Sequence, residues 1–368
     1  GWNQVVYEYV LPEAFEEIIS PISYIKNLGT GTKWVHGSIL AGGYWWGFPR
    51  QQNGSADTVY VPTEIAYINQ NDYTDVGKIS LSVPGYTDTL LRSFEQVSKI
   101  GDYLFAQGET NSLEIPVGGL PNSAYMVMVH IPTKAWKLFK TYNDGWIVGS
   151  DGVNIYYAVG VGGGSRIIKL DPQVYINAQN DFYIDDTLDA VIDTYYADEQ
   201  GGYLDFPRTG YDEDDKGYIH SMVVDSNYIY AAYTTGVASG YDPDSIMKGV
   251  HELHVIDKAT MQPAGWCYIP KATDDMTQTA THLFFGIEVQ SDANTETYGY
   301  GWGAYAIKKS DVVAIDHSSG YIDPVKGLPQ LHPTRDNTPA IQSYASLIFG
   351  NYLLDFRTSK LIFVIDIT

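Results

Sequence analysis

Apolar and polar residues alternate in short runs along the chain, and glycine, proline, asparagine or aspartate separates one run from the next. This pattern predicts β-strands joined by turns, because successive side chains of a strand point to opposite faces of its sheet. Six of the runs open with an aromatic or large apolar residue; they are residues 44–48, 103–106, 155–159, 228–232, 282–286 and 352–356. We expect each of them to be the second strand of a separate sheet.

Other runs accompany each aromatic strand. A run of small apolar residues precedes it, as at 35–39, 146–149 and 219–224. An apolar run that usually ends in Asp, Asn or Pro follows it; these runs are 65–69, 128–132, 167–171, 253–257, 312–316 and 363–366. Such residues belong at strand ends because they stabilise tight turns. A further run, as at 265–269, predicts an outer strand, so the repeating unit has four strands.

A four-stranded unit that recurs about six times, at roughly 50–70 residues per unit, resembles the β-propeller superfamily, whose blades are four-stranded sheets around a central channel. The resemblance implies an all-β fold, with six blades expected over residues 31–368. A stack of β-sandwich domains is the alternative, but the units are too short for it. Residues 181–216 exceed one unit and are interpreted as an acidic insertion; a seventh blade there is the alternative.

The two ends of the chain predict how the propeller closes. The last unit ends without an outer strand, whereas residues 4–10 form a β-rich run that belongs to no blade. We therefore predict that this N-terminal strand completes the last blade, which protects an edge that would otherwise stay unpaired. A short helix is predicted over residues 12–20, so residues 1–30 are expected to hold the closing strand and a linker.

The negative net charge makes nucleic acid and anionic membranes unexpected partners. The 368 residues carry a net charge of -22, and a field of that sign repels nucleic acid and anionic lipid. Direct membrane insertion is not expected, since no run of 18 apolar residues occurs. The one cysteine, Cys267, has mostly apolar neighbours and is predicted to be a buried, unreactive thiol.

Carboxylates are the candidate metal ligands. They cluster in two loop-like segments, at Asp212, Asp214 and Asp215 and at Asp242 and Asp244. Calcium takes six to eight oxygen ligands, and acidic loops supply such ligands. Calcium is therefore the one cofactor that the sequence suggests, with solvated acidic loops and no cofactor as the alternative.

Two further groups of residues are candidates for binding. Aromatic residues beside turn formers can stack on sugars or anchor a protein interface; they are Tyr44, Trp45, Trp46, Tyr298, Tyr300, Trp302 and Tyr305. His36 and His220 both lie on predicted first strands, so both are expected near the central channel. Core or loop packing is the alternative for either group.

No local signature of catalysis accompanies these residues, so an enzyme is the less favoured interpretation. We expect a non-catalytic propeller that serves as a structural or binding module of an extracellular, cell-surface or virion assembly. Its expected partners are protein subunits of that assembly or surface glycans. The alternative is a secreted carbohydrate-active enzyme, a glycosidase or lyase, whose paired carboxylates would lie at the mouth of the channel.

Overall fold

The computed structural model describes residues 6–10, 33–51, 64–69, 75–81, 91–92, 94, 96–110, 124–140, 147–159, 166–179, 182–183, 190–196, 218–234, 251–269, 276–286, 304–313, 345–349, 352–356 and 361–366. These residues form 25 strands, one short α-helix and one 3-10 turn. The strands assemble into six separate, mostly antiparallel sheets, and the fold is an all-β β-propeller.

Three sheets come from the first half of the chain. Sheet 1 contains β2 (Lys33–Ala41), β3 (Tyr44–Gln51), β4 (Glu64–Asn69) and β5 (Val76–Ser80). Sheet 2 contains β6 (Leu91–Arg92), β7 (Val97–Ile100), β8 (Tyr103–Thr110), β9 (Ala124–His130), β10 (Trp136–Lys140) and β14 (Phe182–Tyr183). Sheet 3 contains β11 (Ile147–Ser150), β12 (Ile155–Val159), β13 (Arg166–Leu170) and β15 (Val191–Tyr196), with α1 (Pro172–Ile176) between the last two strands.

The other three sheets come from the second half. Sheet 4 contains β16 (Tyr218–Val224), β17 (Tyr228–Thr234), β18 (His251–Asp257) and β19 (Gln262–Tyr268). Sheet 5 contains β20 (Met276–Gln278), β21 (His282–Gly286) and β22 (Ala304–Lys308), followed by a 3-10 turn, Lys309–Asp311. Sheet 6 contains β23 (Ala345–Phe349), β24 (Tyr352–Phe356) and β25 (Leu361–Asp366) together with β1 (Val6–Val10). Among the described residues, five sheets are therefore complete blades of at least four strands, and sheet 5 has three.

The N-terminal strand closes the last blade, as predicted. Strand β1 runs antiparallel to β25, with Val6 opposite Ile365 and Val10 opposite Leu361. This pairing supplies the outer strand that the C-terminal unit lacks in its own sequence. The predicted helix at 12–20 lies outside the described residues.

Two expectations for individual segments differ from the structure. The predicted third strand at 312–316 is wrong, because β22 pairs with β21 through Phe285 opposite Tyr305, and Val312 follows the 3-10 turn. Tyr305 accordingly lies in a strand and not in a loop. Within the predicted insertion at 181–216, residues 182–183 extend sheet 2 and residues 191–196 supply the outer strand of sheet 3.

The chain divides into two compact units. In the unit that holds sheets 1 and 2, one apolar cluster packs Trp46 and Phe48 of sheet 1 with Leu104 and Val127 of sheet 2. In the other unit, a second cluster packs Tyr230, Leu253 and Cys267 of sheet 4 with Phe285 of sheet 5. First strands of consecutive sheets are neighbours within each unit, β2 beside β7 and β16 beside β20, as in the crowded inner part of a propeller. Among the described residues no helix is long and apolar enough to cross a membrane.

Sheets 1 and 4 share a local repeat that starts with a histidine in a β-bulge. The register of β2 with β3 shifts between Val35 and Gly37, and that of β16 with β17 shifts between Ile219 and Ser221. His36 and His220 are the extra residues of these bulges. A constant offset of 184 residues relates the two segments without a gap, from the bulge to the second strand.

Candidate functional site

An aromatic cage around a lysine amine lies in the unit that holds sheets 1 and 2. Its rings come from two strands of sheet 1, Tyr44 and Trp46 from β3 and Tyr67 from β4. Its lysine, Lys134, comes from the hairpin between β9 and β10 of sheet 2. We call these four residues the Lys134 cage.

Distances in the Lys134 cage are those of cation–π contacts. Nζ of Lys134 lies 3.5 Å from the ring centroid of Tyr44 and 4.7 Å from those of Trp46 and Tyr67. All three lie within the roughly 6 Å over which a ring quadrupole attracts a cation. The three rings also contact one another edge-on or tilted, with centroids 5.3–6.0 Å apart.

The tight turn that contains Lys134 directs its side chain towards the rings. The amide of Lys134 donates to the carbonyl of His130 over 2.8 Å, and its own φ of 62° lies in the left-handed region. A non-glycine residue is uncommon in that region, so the tight turn imposes this conformation. The amine of Lys134 also donates to the carbonyl of Ile131 over 2.8 Å. Tyr44 is fixed by its hydroxyl, which donates to the carboxylate of Asp75.

Two glycines leave room for the Lys134 cage. A Cβ on Gly77 would overlap the hydroxyl of Tyr67, so only glycine lets that ring take its position. A Cβ on Gly42 would overlap Cγ2 of Ile131, and Gly42 also has a φ of +59°. The hairpin that carries Lys134 therefore approaches sheet 1 closely because position 42 has no side chain.

A second lysine lies on an aromatic ring in the other unit. Nζ of Lys309 is 5.1 Å from the ring centroid of Tyr230, the third residue of β17. In addition it is 3.0 Å from Oδ2 of Asp225 and 2.8 Å from Oε1 of Gln278. The amide nitrogen of Gln278 donates in turn to the carbonyl of Val224 over 2.7 Å. We call Lys309, Asp225, Gln278 and Tyr230 the Lys309 clamp.

Electrostatics differ between the two lysines. Desolvation lowers the pKa of Lys134, and the carboxylate of Asp75 partly offsets this effect. In the Lys309 clamp, burial of Asp225 opposes ionisation, but hydrogen bonds from the amides of Asn227 and Tyr228 and from Lys309 outweigh it, so the pKa of Asp225 is lowered. Desolvation and the neighbouring carboxylate of Asp225 raise the pKa of the Tyr230 hydroxyl.

A buried chain of polar side chains lies in the same unit as the Lys309 clamp. Nε2 of His254 lies 3.0 Å from Oε2 of Glu252, and Nδ1 lies 3.2 Å from the hydroxyl of Tyr195. All three side chains are at most 2% exposed, so they hold elements together and do not meet solvent. Cys267 is 1% exposed, and burial together with Glu252 raises the pKa of its thiol to about 12, which agrees with the predicted unreactive thiol.

The predicted site residues have separate locations. Tyr44 and Trp46 come together in the Lys134 cage, whereas Trp45, one residue between them, faces the other side of the sheet. Of the remaining candidates, Tyr298, Tyr300, Trp302, Asp212, Asp214, Asp215, Asp242 and Asp244 lie outside the described residues. Within the described ranges no group of three or more metal-ligating side chains occurs.

Six residues of these clusters escaped the sequence analysis, namely Tyr67, Lys134, Lys309, Asp225, Gln278 and Tyr230. Each joins its cluster through contacts between strands or sheets that are distant in sequence. One signal was visible: an acidic residue at a strand end and a tyrosine five residues later occur as Asp151 and Tyr156 and again as Asp225 and Tyr230. The hydroxyl of Tyr156 donates to Oδ2 of Asp151 over 3.1 Å.

Similarity to known proteins is limited to solved structures. No protein family matches the sequence. No curated protein matches it either. Among solved structures it is similar to BamB from Moraxella catarrhalis, with 13% identity over 90% of this chain and 85% of that chain at a TM-score of 0.44. It is also similar to the Pan2 WD40 domain from Neurospora crassa, with 8% identity, 91% and 84% coverage and a TM-score of 0.44. Virginiamycin B lyase from Staphylococcus aureus has 12% identity, 100% coverage of both chains and a TM-score of 0.44. The sheet topology itself carries the β-propeller assignment.

Proposed function

We propose that the protein is a non-catalytic structural or binding module of an extracellular, cell-surface or virion assembly, which recognises its partner through the connections at one end of its sheets. The observation that carries this proposal is the unequal length of the connections at the two ends. First and second strands are joined by the short segments 42–43, 101–102, 151–154, 225–227 and 279–281. Second and third strands of the same five sheets are joined by 52–63, 111–123, 160–165, 235–250 and 287–303, whereas both connections of sheet 6, 350–351 and 357–360, are short.

The longer connections are the ones with binding-type sequences. Asp242 and Asp244 fall in the connection 235–250, and Tyr298, Tyr300 and Trp302 fall in 287–303. Because neighbouring strands are antiparallel, these connections all leave from the same end of the strands, opposite the short turns. Long connections on a rigid sheet are the usual place for recognition residues, because they vary without disturbing the core.

Buried ionisable groups support a non-catalytic role. Glu252, His254 and Lys309 are each at most 6% exposed. Each of them makes hydrogen bonds within the propeller, so these groups act in stability. A catalytic carboxylate or imidazole needs access to a substrate, which such burial prevents.

The decisive experiment measures the native mass and the chemical activity of the purified chain. Light scattering is expected to show an assembly heavier than the 40.9 kDa chain, or a glycan array is expected to show binding without cleavage. Replacement of Tyr298, Tyr300 and Trp302 by serine should abolish either property. The matched control is Val153→Ser in a short turn, since Val153 is 69% exposed and lies at the other end of its sheet. A monomer that cleaves glycans would instead establish the glycosidase or lyase alternative.

Calcium binding belongs to the same proposal. Calorimetric titration with calcium chloride, and with magnesium chloride as the control, tests whether the acidic connections bind the ion. Asp242→Asn combined with Asp244→Asn should remove the heat of binding, because each change removes one charged oxygen ligand. An unchanged titration would eliminate these two residues as ligands.

A further inference from the structure

The Lys134 cage has the composition and geometry of a site for an organic cation. Three aromatic rings surround one point at 3.5–4.7 Å, and one of them belongs to a tryptophan, the strongest of the cation–π partners. Trp46 is 0% exposed and forms the floor, whereas Tyr44 and Tyr67 are only half-buried and form the walls. Such three-ring cages are how proteins recognise quaternary ammonium groups.

The lysine in this cage is held mainly by the rings. Among the described residues, its amine has one hydrogen-bond acceptor, the carbonyl of Ile131, and no carboxylate within 4.0 Å. The amine of Lys309 provides the contrast, since it is fixed by Asp225 and Gln278 as well as by a ring. Removing Lys134 from its cage therefore breaks one hydrogen bond and no ion pair of the described residues, whereas removing Lys309 from its clamp breaks two hydrogen bonds, one of them to a carboxylate.

The chemistry of the rings selects among cations. A quaternary ammonium group, with four carbon substituents, has no N–H that needs an acceptor, and its hydration is weaker than that of a lysine amine. A cage that offers three π faces and a single carbonyl suits such a group better than it suits a primary amine. Asp75 is exposed and bonded to the hydroxyl of Tyr44, so it adds a negative charge at the rim.

We propose that Tyr44, Trp46 and Tyr67 form a binding site for a small methylated ammonium compound, and that Lys134 occupies this site as an internal competitor in the resting protein. The ligand enters when the lysine side chain leaves the rings, without any change in the sheets that hold them. A side chain tethered beside its site competes at an effective concentration of about millimolar or more, so the unmodified protein binds the ligand weakly. This site is independent of the connections assigned to partner recognition above.

The test uses tetramethylammonium chloride as the probe and potassium chloride as the control for ionic strength. The key variant is Lys134→Gly, which empties the cage and accommodates the φ of 62° without strain. Lys134→Asn serves as a second variant, because asparagine tolerates the left-handed region and is too short to reach the rings. Circular dichroism confirms that each variant is folded before it is titrated by calorimetry.

We expect both variants to bind the probe about tenfold or more tightly than the unmodified protein does. Adding Tyr67→Leu to Lys134→Gly should weaken the binding about tenfold, because it removes one wall of the cage. A folded Lys134→Gly protein that does not bind the probe would overturn the proposed site. Equal binding by the unmodified protein and by Lys134→Gly would overturn the role of Lys134 as the occupant.

Discussion

The Lys134 cage and the Lys309 clamp both place a lysine amine against an aromatic ring, but different interactions hold the two amines. Each lysine lies in the turn after the third strand of a sheet, and each places its amine on a ring in the second strand of the preceding sheet. Trp46 and Tyr230 are equivalent rings, since each is the third residue of its strand. The amine of Lys134 has three rings around it, whereas that of Lys309 has one ring, a carboxylate and an amide.

One position accounts for the ion pair of the Lys309 clamp. The residue five before Trp46 is Ala41, and the residue five before Tyr230 is Asp225. The indole of Trp46 donates to the backbone carbonyl of Ala41 over 3.1 Å, so no carboxylate is needed there. Asp225 instead accepts from Lys309. Aspartate at this strand end thus supplies the carboxylate that pairs with Lys309, whereas alanine supplies none to Lys134, and the residue opposite the ring also differs, since Tyr67 faces Trp46 and Val255 faces Tyr230.

The largest effect is expected from breaking the ion pair of the Lys309 clamp. Lys309→Met should lower the free energy of unfolding in urea by about 3 kcal/mol, because it leaves Asp225 and Gln278 without the amine in a mostly buried place. The side chains of Lys309 and Asp225 are only 8% and 23% exposed.

The double variant Lys309→Met with Asp225→Ala is the control for this prediction. It should recover about 1 kcal/mol or more of the summed losses of the single variants, since it removes both charges together. Strictly additive losses would show that the two residues do not interact.

The next largest loss of stability is expected from a substitution at the point where sheets 1 and 2 approach closely. Gly42→Ala is expected to cost about 2 kcal/mol, because it combines a strained left-handed backbone with the overlap against Ile131. The neighbouring residue is a matched control: Gly43 has a φ of +79° but open space around its Cβ, so Gly43→Ala should cost about 1 kcal/mol. Equal losses in urea unfolding would mean that the hairpin of Lys134 moves freely away from position 42.

Removing the amine of the Lys134 cage should have a smaller effect. Lys134→Met keeps an apolar chain over the rings and is expected to cost about 1 kcal/mol, the size of a partly exposed cation–π contact. The surface pair of Lys78 and Glu64, whose side chains are 27% and 26% exposed, gives the reference. Lys78→Met should cost no more than about 0.5 kcal/mol. A loss of 3 kcal/mol for Lys134→Met would show that this lysine, like Lys309, is essential to stability.

The sequence predicts the strands well because each strand is a local pattern. All six aromatic second strands occur where alternation and turn formers place them, and the closing role of the N-terminal run followed from one missing strand in the last unit. The error at 312–316 has a physical reason. Val312 packs into the core directly after the 3-10 turn, so an apolar run that is typical of a strand occurs here without one.

The clusters could be predicted only in part. Tyr44 and Trp46 were recognisable as binding-type residues, but the sequence could not show that a lysine 88 residues beyond Trp46 lies on their rings. The φ of 62° at Lys134 is equally invisible in the sequence, because a turn and not the residue type imposes it. Contacts between sheets depend on how the sheets stack, and a pattern within one sheet contains no information about that stacking.

Lowering the pH should change the stability losses of the two lysine variants by different amounts, and this is the smallest of the expected effects. The pKa of Asp225 is lower in the folded protein than in the unfolded chain, so its charge stabilises the fold above the unfolded pKa near 3.8, and this contribution is lost as the pH falls through the folded value. Between pH 6 and pH 3 the deficit of Lys309→Met should therefore shrink by up to about 1 kcal/mol, since the carboxylate that the variant leaves unpaired becomes neutral. The deficit of Lys134→Met should change less, because its rings do not titrate in this range and the nearby carboxylate, Asp75, is bonded to the hydroxyl of Tyr44 and not to the amine. Urea unfolding of both variants and of the unmodified protein at the two pH values measures the contrast, and a parallel decline of both deficits would mean that a carboxylate also holds Lys134.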